Sequence, residues 1–457
     1  MLQGRWIGTA ETEPYPELLS LRYDSVATMQ CFYRGVNLYI PDNFQVKGNQ
    51  VSFQMDVKDL QAEFTGKIAE DTIKGILQTP QGMKSCNFVR TTTNSLASIG
   101  ELVGYYRLGD RHALEIFPYP LSEDLTALSL IDFRTGKKRV AFPTAENSFT
   151  AGAKMLSPYP PEINIALAGI DQNQIPGIEY RDEDTLYKAK RMPDLTRFED
   201  FKVKNGEVEL ACTITYPYKE DGPFPLVILT PGTGEVVRSD AYQDYLKMLS
   251  WQGVAILSYD KRGCGESTGN VDTASFEDLA TDLEAVLQDA KAQEDIDASR
   301  IGLAGFDQAG FVMPIVASKH PELSFMASIA GSALSVVDQE YIACELRMVA
   351  DGFETPVIDE AMNYEKSLFK FLRGEIDSAA FQRLSDAAKG KPWMGRYTTS
   401  FDNKRYIRRW EIIHDFDPKP YLERTKVPMY AAYGEQDIIA PPKYNFPVLK
   451  TVFEKHP

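Results

Sequence analysis

Histidine, cysteine and long apolar runs are scarce in this chain, and each scarcity excludes a class of protein. Only four histidines occur in 457 residues, and the five cysteines are an odd number without any C-x-x-C spacing. The sequence therefore predicts neither a disulfide framework nor a zinc site. No run of about 18 apolar residues occurs, so no transmembrane helix is expected. We expect no metal and no other cofactor.

Basic residues are also in short supply relative to acidic ones. The 49 Lys and Arg residues stand against 65 Asp and Glu residues, which gives a net charge of −16. Because phosphate backbones and anionic membrane surfaces are bound by clustered positive charge, no nucleic-acid partner is expected. The first residues lead into a strand-like pattern without a leader, which predicts a cytoplasmic protein, or a periplasmic or secreted one whose leader was removed. The sequence carries no signal for oligomeric state.

Apolar and polar residues alternate through the first part of the chain, and this period of two predicts antiparallel strands. We expect a β-barrel or sandwich-like domain over residues 1–92 and a second β unit over residues 99–192. Trp6, Tyr105 and Tyr106 lie in these segments. They would suit a carbohydrate or lipid platform, but aromatic residues in strands more often pack in the core, so core packing is predicted.

From about residue 195 the pattern changes to strands that alternate with helices, which predicts a parallel sheet. The continuous apolar run Leu226–Thr230 suits a strand covered on both faces. A helix is expected to begin near Ser275, with Asp278 as its capping-box partner. Residues from about 335 to 415 are helical in pattern and are predicted to form a cap over the carboxyl edge of the sheet. The α/β domain is expected to cover 195–457, without a C-terminal strand.

The segment Arg300–Gly310 has the layout of a nucleophile elbow: a buried strand, a tight turn between glycines, and a helix. This segment and four others, in the same order, resemble bacterial α/β-hydrolases of the esterase and prolyl-oligopeptidase-related kind that carry an N-terminal β region. The other matching segments are Thr230–Gly234, Tyr259–Ser267, the helical cap and Tyr433–Pro442. The resemblance implies the α/β-hydrolase fold, a mostly parallel sheet flanked by helices with a helical cap, preceded by one or two all-β domains.

The resemblance further implies hydrolysis of a small ester or peptide-like ligand by a Ser, Asp and His triad. By position, Asp307 occupies the nucleophile position and Asp437 is the triad acid. The backbone N–H groups of Gln308 and of Gly232 or Thr233 are the implied oxyanion hole.

Four residues depart from the pattern of these hydrolases. Asp307 replaces the serine, Phe306 and Pro231 stand where histidines are usual, and Ala309 replaces a glycine. The positions of the histidines also differ from the pattern of these hydrolases. Only His456 follows Asp437, and no strand separates it from the last helix, so a surface histidine is expected there rather than the triad base.

Three hypotheses follow for the function. The first is a carboxylic-ester or peptide hydrolase scaffold that is impaired or inactive, or a non-catalytic ligand-binding protein. The second is a serine hydrolase in which serine was changed to Asp307 and whose last strand and histidine follow Pro457. The third is an aspartate-nucleophile hydrolase of the dehalogenase or epoxide hydrolase type. The changes that accompany Asp307 favour the first, because inactivating one site would not require the other three.

Overall fold

The computed structural model groups the chain into two compact units, Met1–Leu195 and Thr196–Pro457. The alternating and continuous apolar patterns become strands and helices within these units. The structure describes twelve ranges: 2–12, 16–58, 60–92, 96–109, 112–122, 125–145, 147–168, 177–182, 184–193, 197–218, 221–239 and 243–455.

The first unit begins with nine antiparallel strands in one sheet, with the order β4-β3-β2-β1-β9-β8-β7-β6-β5. These strands are β1 Gly4–Ala10, β2 Glu17–Tyr23, β3 Ala27–Cys31, β4 Val36–Tyr39, β5 Asp42–Lys47, β6 Gln50–Val57, β7 Leu60–Ala69, β8 Thr72–Thr79 and β9 Gly82–Thr91. Two residues join the edge strands β4 and β5, and they span at most about 11 Å. The Tyr39 hydroxyl of β4 accepts a hydrogen bond from the Asp56 N–H of β6 at 3.0 Å. The sheet therefore curls until its two edges meet.

The inner face of this sheet is apolar because buried and exposed residues alternate along its strands. In β6 and β7 every second residue is buried apart from the partly buried Ala62, and Phe53 and Phe64 stack at 4.7 Å between ring centroids. Trp6 is fully buried, and its indole N–H donates to the Leu2 carbonyl at 2.7 Å. The predicted core role of Trp6 is confirmed.

A helix and a closed eight-stranded antiparallel barrel follow. The helix is α1 Leu96–Leu102, and the strands are β10 Gly104–Gly109, β11 His112–Ser122, β12 Leu125–Asp132, β13 Lys138–Ala145, β14 Ser148–Gly152, β15 Pro161–Ala168, β16 Gly177–Asp182 and β17 Thr185–Met192. Tyr105 and Tyr106 are buried, so they too pack in the core. Because the structure groups sheet and barrel into one unit, the boundaries 1–92 and 99–192 stay proposals for separate domains.

The second unit contains a seven-stranded sheet with the order β18-β19-β21-β20-β22-β23-β24. Its strands are β18 Arg197–Asn205, β19 Val208–Tyr216, β20 Phe224–Thr230, β21 Ala255–Tyr259, β22 Ile296–Phe306, β23 Met326–Ile329 and β24 Met429–Ala432. Strands β20 to β24 pair in parallel, as predicted from their apolar runs. The antiparallel strands β18 and β19 at one edge were not predicted, because charged residues interrupt the apolar positions of β18.

Nine helices belong to this unit in the described ranges. They are α2 Gln243–Trp251, α3 Phe276–Ala292, α4 Ala309–Ala317, α5 Val336–Ala350, α6 Thr355–Leu372, α7 Ser378–Ala388, α8 Lys404–Ile413, α9 Lys419–Leu422 and α10 Pro442–Phe453. The predicted capping box of α3 is present, with reciprocal bonds between Ser275 and Asp278 at 2.8 and 3.1 Å. Helices α5 to α8 form the predicted helical segment, and it has an apolar core of its own around Leu368 and Trp393. No helix in the described ranges has the length and apolar character needed to cross a bilayer.

Candidate active site

The elbow turns sharply between β22 and α4, with Asp307 at its apex. Asp307 has φ of 52°, a left-handed conformation that a residue with a Cβ adopts only at a cost, and one that is frequent at functional sites. Its N–H donates to the Ile329 carbonyl at 3.0 Å, and its carbonyl accepts from Gly310 N–H at 2.9 Å. The backbone is thus held on both sides, and the strained apex residue is fixed at the carboxyl end of the strand.

Two glycines allow this turn to lie close to its neighbours. A Cβ on Gly305 would lie 2.3 Å from Ala309 Cβ and 2.8 Å from the Thr230 carbonyl oxygen. A Cβ on Gly310 would lie 2.6 Å from Gly331 Cα. Since none of these atoms can withdraw without moving backbone or the elbow itself, both positions require glycine.

We expect Gly305→Ala to lower the free energy of unfolding by about 2 to 3 kcal/mol, because overpacking here displaces strand and helix together. Gly100→Ala is the matched control: a Cβ there meets no atom within 4 Å, and alanine favours a helix. Urea denaturation of both variants measures the difference. A Gly305→Ala protein as stable as Gly100→Ala would contradict this account of the turn.

The residues predicted for the oxyanion hole leave the necessary N–H groups unused. Within the described ranges, no hydrogen bond is formed by the backbone N–H groups of Gly232, Thr233 or Gln308. Gly232 and Gln308 are buried, whereas Thr233 is exposed. Unpaired N–H groups beside the elbow are the donors that an oxyanion would require. Their use as an oxyanion hole stays a prediction.

A buried lysine connects the two halves of this region, and sequence reasoning did not single it out. The Lys261 amine donates to the Gly232 and Gly234 carbonyls at 2.9 and 3.3 Å and to Gln308 Oε1 at 2.5 Å. It therefore ties the loop after β20 to the residue that follows the apex. Lys261 is only 3% exposed. The only feature of the sequence that could have indicated this role is the position of Lys261, between the buried strand β21 and Arg262.

Burial lowers the pKa of Lys261 to about 8, because the charged amine has lost its hydration. The guanidinium of Arg409 in α8 also contributes to this lowering, whereas Cys264 and the Asp307 carboxylate oppose it. Asp307 therefore lies within the electrostatic range of a buried cation. A negative charge at the apex stabilises the ammonium form of Lys261.

Asp437 follows β24 at the same edge of the sheet as Asp307. Its Oδ1 accepts from the Ile439 and Ala440 N–H groups, both at 2.8 Å, so the carboxylate also forms the turn of its own loop. Strand β23 lies between β22 and β24, and two strand spacings amount to about 10 Å. In the described ranges no hydrogen bond joins Asp307 to Asp437. The role of Asp437 as triad acid stays a prediction.

The sequence of this chain matches the profile of one protein family. Residues 205–445 match the X-Pro dipeptidyl-peptidase family S15. The chain belongs to this S15 family. The fold is the α/β-hydrolase fold that the sequence predicted, here with β-rich segments before it, and the family is one of hydrolases of the peptidase and esterase type. A search of curated protein sequences finds no match.

Solved structures similar to this S15-family chain are distant. An esterase of Pyrococcus furiosus is 14% identical with a TM-score of 0.39, and the match covers 57% of this chain and 79% of that one. A proline iminopeptidase of Mycobacterium smegmatis is 17% identical with a TM-score of 0.37, and the match covers 56% of this chain and 87% of that one.

Each described histidine of this S15-family chain has one ring nitrogen close to a residue outside the elbow, and the Nε2 of His414 is buried without a hydrogen bond in the described ranges. His112 Nε2 lies 3.1 Å from Asp132 Oδ2, in the barrel. His320 Nδ1 lies 3.0 Å from a Glu322 oxygen. His414 Nδ1 lies 2.9 Å from the carbonyl of Trp410, one turn earlier in its helix. His456 lies outside the described residues. Among the described residues, no histidine is hydrogen-bonded to Asp307 or Asp437, and no group of three or more potential metal ligands occurs.

Proposed function

We propose that this hydrolase domain binds a small ester or peptide-like molecule at the carboxyl edge of its sheet, and that it does not cleave it by the serine route. The observation that carries the proposal is a carboxylate, Asp307, at the left-handed apex of the elbow. Attack of a carboxylate on an ester carbonyl gives an anhydride, whereas serine gives an acyl ester that water can resolve. An unactivated carboxylate is therefore a poor replacement for serine in ester cleavage.

The binding half of the proposal is supported by features that do not depend on the apex side chain. The N–H groups of Gly232, Thr233 and Gln308 make no hydrogen bond in the described part of the chain. Lys261 holds the loop of Gly232 against Gln308 through its three hydrogen bonds. A polarised carbonyl oxygen of an ester or amide is a suitable acceptor for such N–H groups.

An aspartate-nucleophile hydrolase is the second candidate, since Asp307 stands at the position where such enzymes carry their nucleophile. A carboxylate oxygen would form a bond to carbon as halide or an epoxide oxygen leaves, giving an alkyl ester that activated water must then cleave. Two observations weigh against it: Gln308 replaces the aromatic residue usual after that aspartate, and among the described residues no histidine is hydrogen-bonded to Asp307.

The esterase test uses p-nitrophenyl butyrate with the wild-type protein, Asp307→Ala and Asp307→Ser. We expect all three to release nitrophenol at rates within about tenfold of one another, because serine without a base lacks most of its catalytic advantage and the backbone donors are the same in all three. Saturation-transfer NMR with ethyl butyrate is expected to detect binding to all three. A gain of a thousandfold or more by Asp307→Ser would show that a base reaches the elbow.

The same variants separate the remaining outcomes. Wild-type turnover of the ester far above buffer, or absence of ethyl butyrate binding, would contradict the proposal. Halide release from 1-bromobutane that is lost in Asp307→Asn would establish the aspartate-nucleophile candidate instead. Asp437→Asn is the matched control for the ester assay, since a protein without serine chemistry does not respond to loss of the triad acid.

A further inference from the structure

The antiparallel edge of the second sheet presents an uncommon row of polar side chains on one face. The strand register pairs Phe198 with Thr215 and Asp200 with Thr213, and Thr213 is in turn opposite Ser258 of β21. Because directly paired residues point to the same side of a sheet, these five side chains share one face. The other face of the same strands is apolar and lies in the core of the unit.

A cavity of about 580 Å³ lies over this polar face. It is separate from a cavity of about 740 Å³ in the first unit. The floor of the cavity over the polar face is the row of side chains on β18, β19 and β21, and its walls are the loop 237–239 and Gly265–Glu266. Ligand sites for small molecules typically enclose about 300 to 1,000 Å³. This cavity is distinct from the elbow: the Asp260 carboxylate faces it, whereas the amine of the next residue, Lys261, bonds to Gln308.

The charge that lines the cavity is negative. Three carboxylates, of Asp200, Asp260 and Glu266, stand against the guanidinium of Arg238. The Arg238 guanidinium bonds to Thr213 Oγ1 at 3.0 Å and to both Asp260 and Glu266, so its donors are already directed at protein oxygens. An anionic ligand would therefore have to displace these ion pairs.

Asp260 is likewise committed to the protein and Glu266 is paired with Arg238, which leaves the Asp200 carboxylate, an acceptor of the Thr213 hydroxyl, for a ligand. Asp260 accepts from the Arg238 and Glu266 N–H groups at 2.7 and 2.8 Å and is 1% exposed. The carboxylates of Asp200 and Glu266 are exposed to solvent. The nearest other cation on this face, Lys202, is paired with Glu209 at 2.7 Å.

A second observation points to a ligand independently of charge. Thr215 is 1% exposed, lines the cavity, and its hydroxyl has no hydrogen-bond partner in the part of the chain that the structure describes. A buried polar group without a partner is unfavourable, and such groups are uncommon in folded proteins. Beside it, the ring of Phe198 is 49% exposed, which provides an apolar surface.

We propose that this cavity, on the Phe198, Asp200 and Thr215 face, is a binding site for a small organic cation. The ammonium or guanidinium group of the ligand donates one hydrogen bond to the Asp200 carboxylate and another to the Thr215 hydroxyl. The apolar part of the ligand lies on the Phe198 ring. Opposite charge and complementary donors explain why a cation is favoured over an anion or a neutral ligand.

The test is titration of the full-length chain with benzylammonium, followed by calorimetry or NMR at low ionic strength. We expect a Kd on the order of 1 mM. Asp200→Asn is expected to weaken binding by about tenfold and Thr215→Val by about fivefold, because each removes a partner of the cationic group. Glu199→Gln is the matched control, since Glu199 lies on the opposite face and accepts from the Tyr216 hydroxyl at 2.9 Å.

Benzyl alcohol, which has the same size without the charge, is expected to bind at least about tenfold more weakly than benzylammonium. Circular dichroism verifies that each variant is folded. The proposal fails if benzyl alcohol binds as well as benzylammonium, if both variants keep wild-type affinity, or if no binding occurs at about 20 mM, well above the expected Kd.

Discussion

Replacing Glu365 with glutamine is expected to stabilise the protein by about 3 to 5 kcal/mol at pH 8 and by almost nothing at pH 4.5. Glu365 is fully buried in the cap, and only one of its oxygens has a partner, the Thr399 N–H at 3.3 Å. The pKa of this carboxyl is raised from 4.5 to about 8, chiefly by burial and then by Glu340, whereas the Thr399 bond and Arg347 oppose the change.

The pH dependence of this stabilisation follows from the protonation of Glu365 in the folded and in the unfolded chain. Below pH 4.5 the carboxyl of Glu365 is protonated in both the folded and the unfolded chain, so its burial costs no ionisation energy. Between pH 4.5 and 8 the unfolded chain releases the proton and the folded chain keeps it, so the free energy of unfolding falls by about 1.4 kcal/mol per pH unit. Above pH 8 the loss is constant. Glutamine has the same shape and no proton to release.

Urea unfolding between pH 4.5 and 8.5, followed by tryptophan fluorescence, measures this difference, since Trp393 and Trp410 lie in the cap. Glu345→Gln is the control, because Glu345 lies on the same helix as Glu340 and is exposed. The groups that face Glu365 from α5 are Glu340 and Arg347, and both are unchanged in the two variants. A difference between Glu365→Gln and wild type that does not vary with pH would contradict the assignment.

Replacing Asp282 with alanine is expected to destabilise the α/β domain by about 3 to 5 kcal/mol, because it leaves a half-buried guanidinium without its partner. Asp282 is 1% exposed, and its two carboxylate oxygens accept hydrogen bonds from Nε and Nη2 of Arg262, at 2.6 and 2.8 Å. Asn205 also donates to it, at 2.8 Å. Helix α3 is thereby joined to the loop after β21.

A double variant separates the loss of the ion pair from the loss of packing. Arg262→Met with Asp282→Leu removes both charges and keeps most of the volume, so we expect it to recover more than half of the loss in Asp282→Ala. Asn205→Ala removes one neutral donor and should cost only about 1 kcal/mol. Urea denaturation compares the three variants. If the double variant were less stable than Asp282→Ala, packing rather than charge would be the origin of the effect.

The fold was predictable because its signals are local. The continuous apolar run of β20, the capping box at Ser275 and Asp278, and the glycines of the elbow each specify a backbone conformation from nearby residues alone. The helical pattern predicted from about residue 335 to 415 contains helices α5 to α8 of the structure. Strand β18 was not predicted, because its apolar residues Phe201 and Val203 stand among charged residues.

The chemistry of the site was less predictable because it depends on residues distant in sequence. Lysine is rarely buried, so nothing in the pattern indicated that the Lys261 amine bonds to Gly232 and Gln308. Glu365 did carry a signal: it stands in helical register with the apolar residues Met362 and Phe369 of α6, a position that faces a core. An acidic residue in helical register with apolar residues therefore predicts a buried carboxyl group.

Both β structures of the first unit start and finish on neighbouring strands. In the sheet β1 pairs with β9, and Arg5 stands opposite Thr91; in the barrel β10 pairs with β17, and Tyr105 stands opposite Met192. Each β structure therefore closes on itself before the chain continues. A buried cluster that includes Ile7 and Leu18 of the sheet and Leu125 and Phe142 of the barrel joins the two, so the loss of either structure would expose apolar surface of the other.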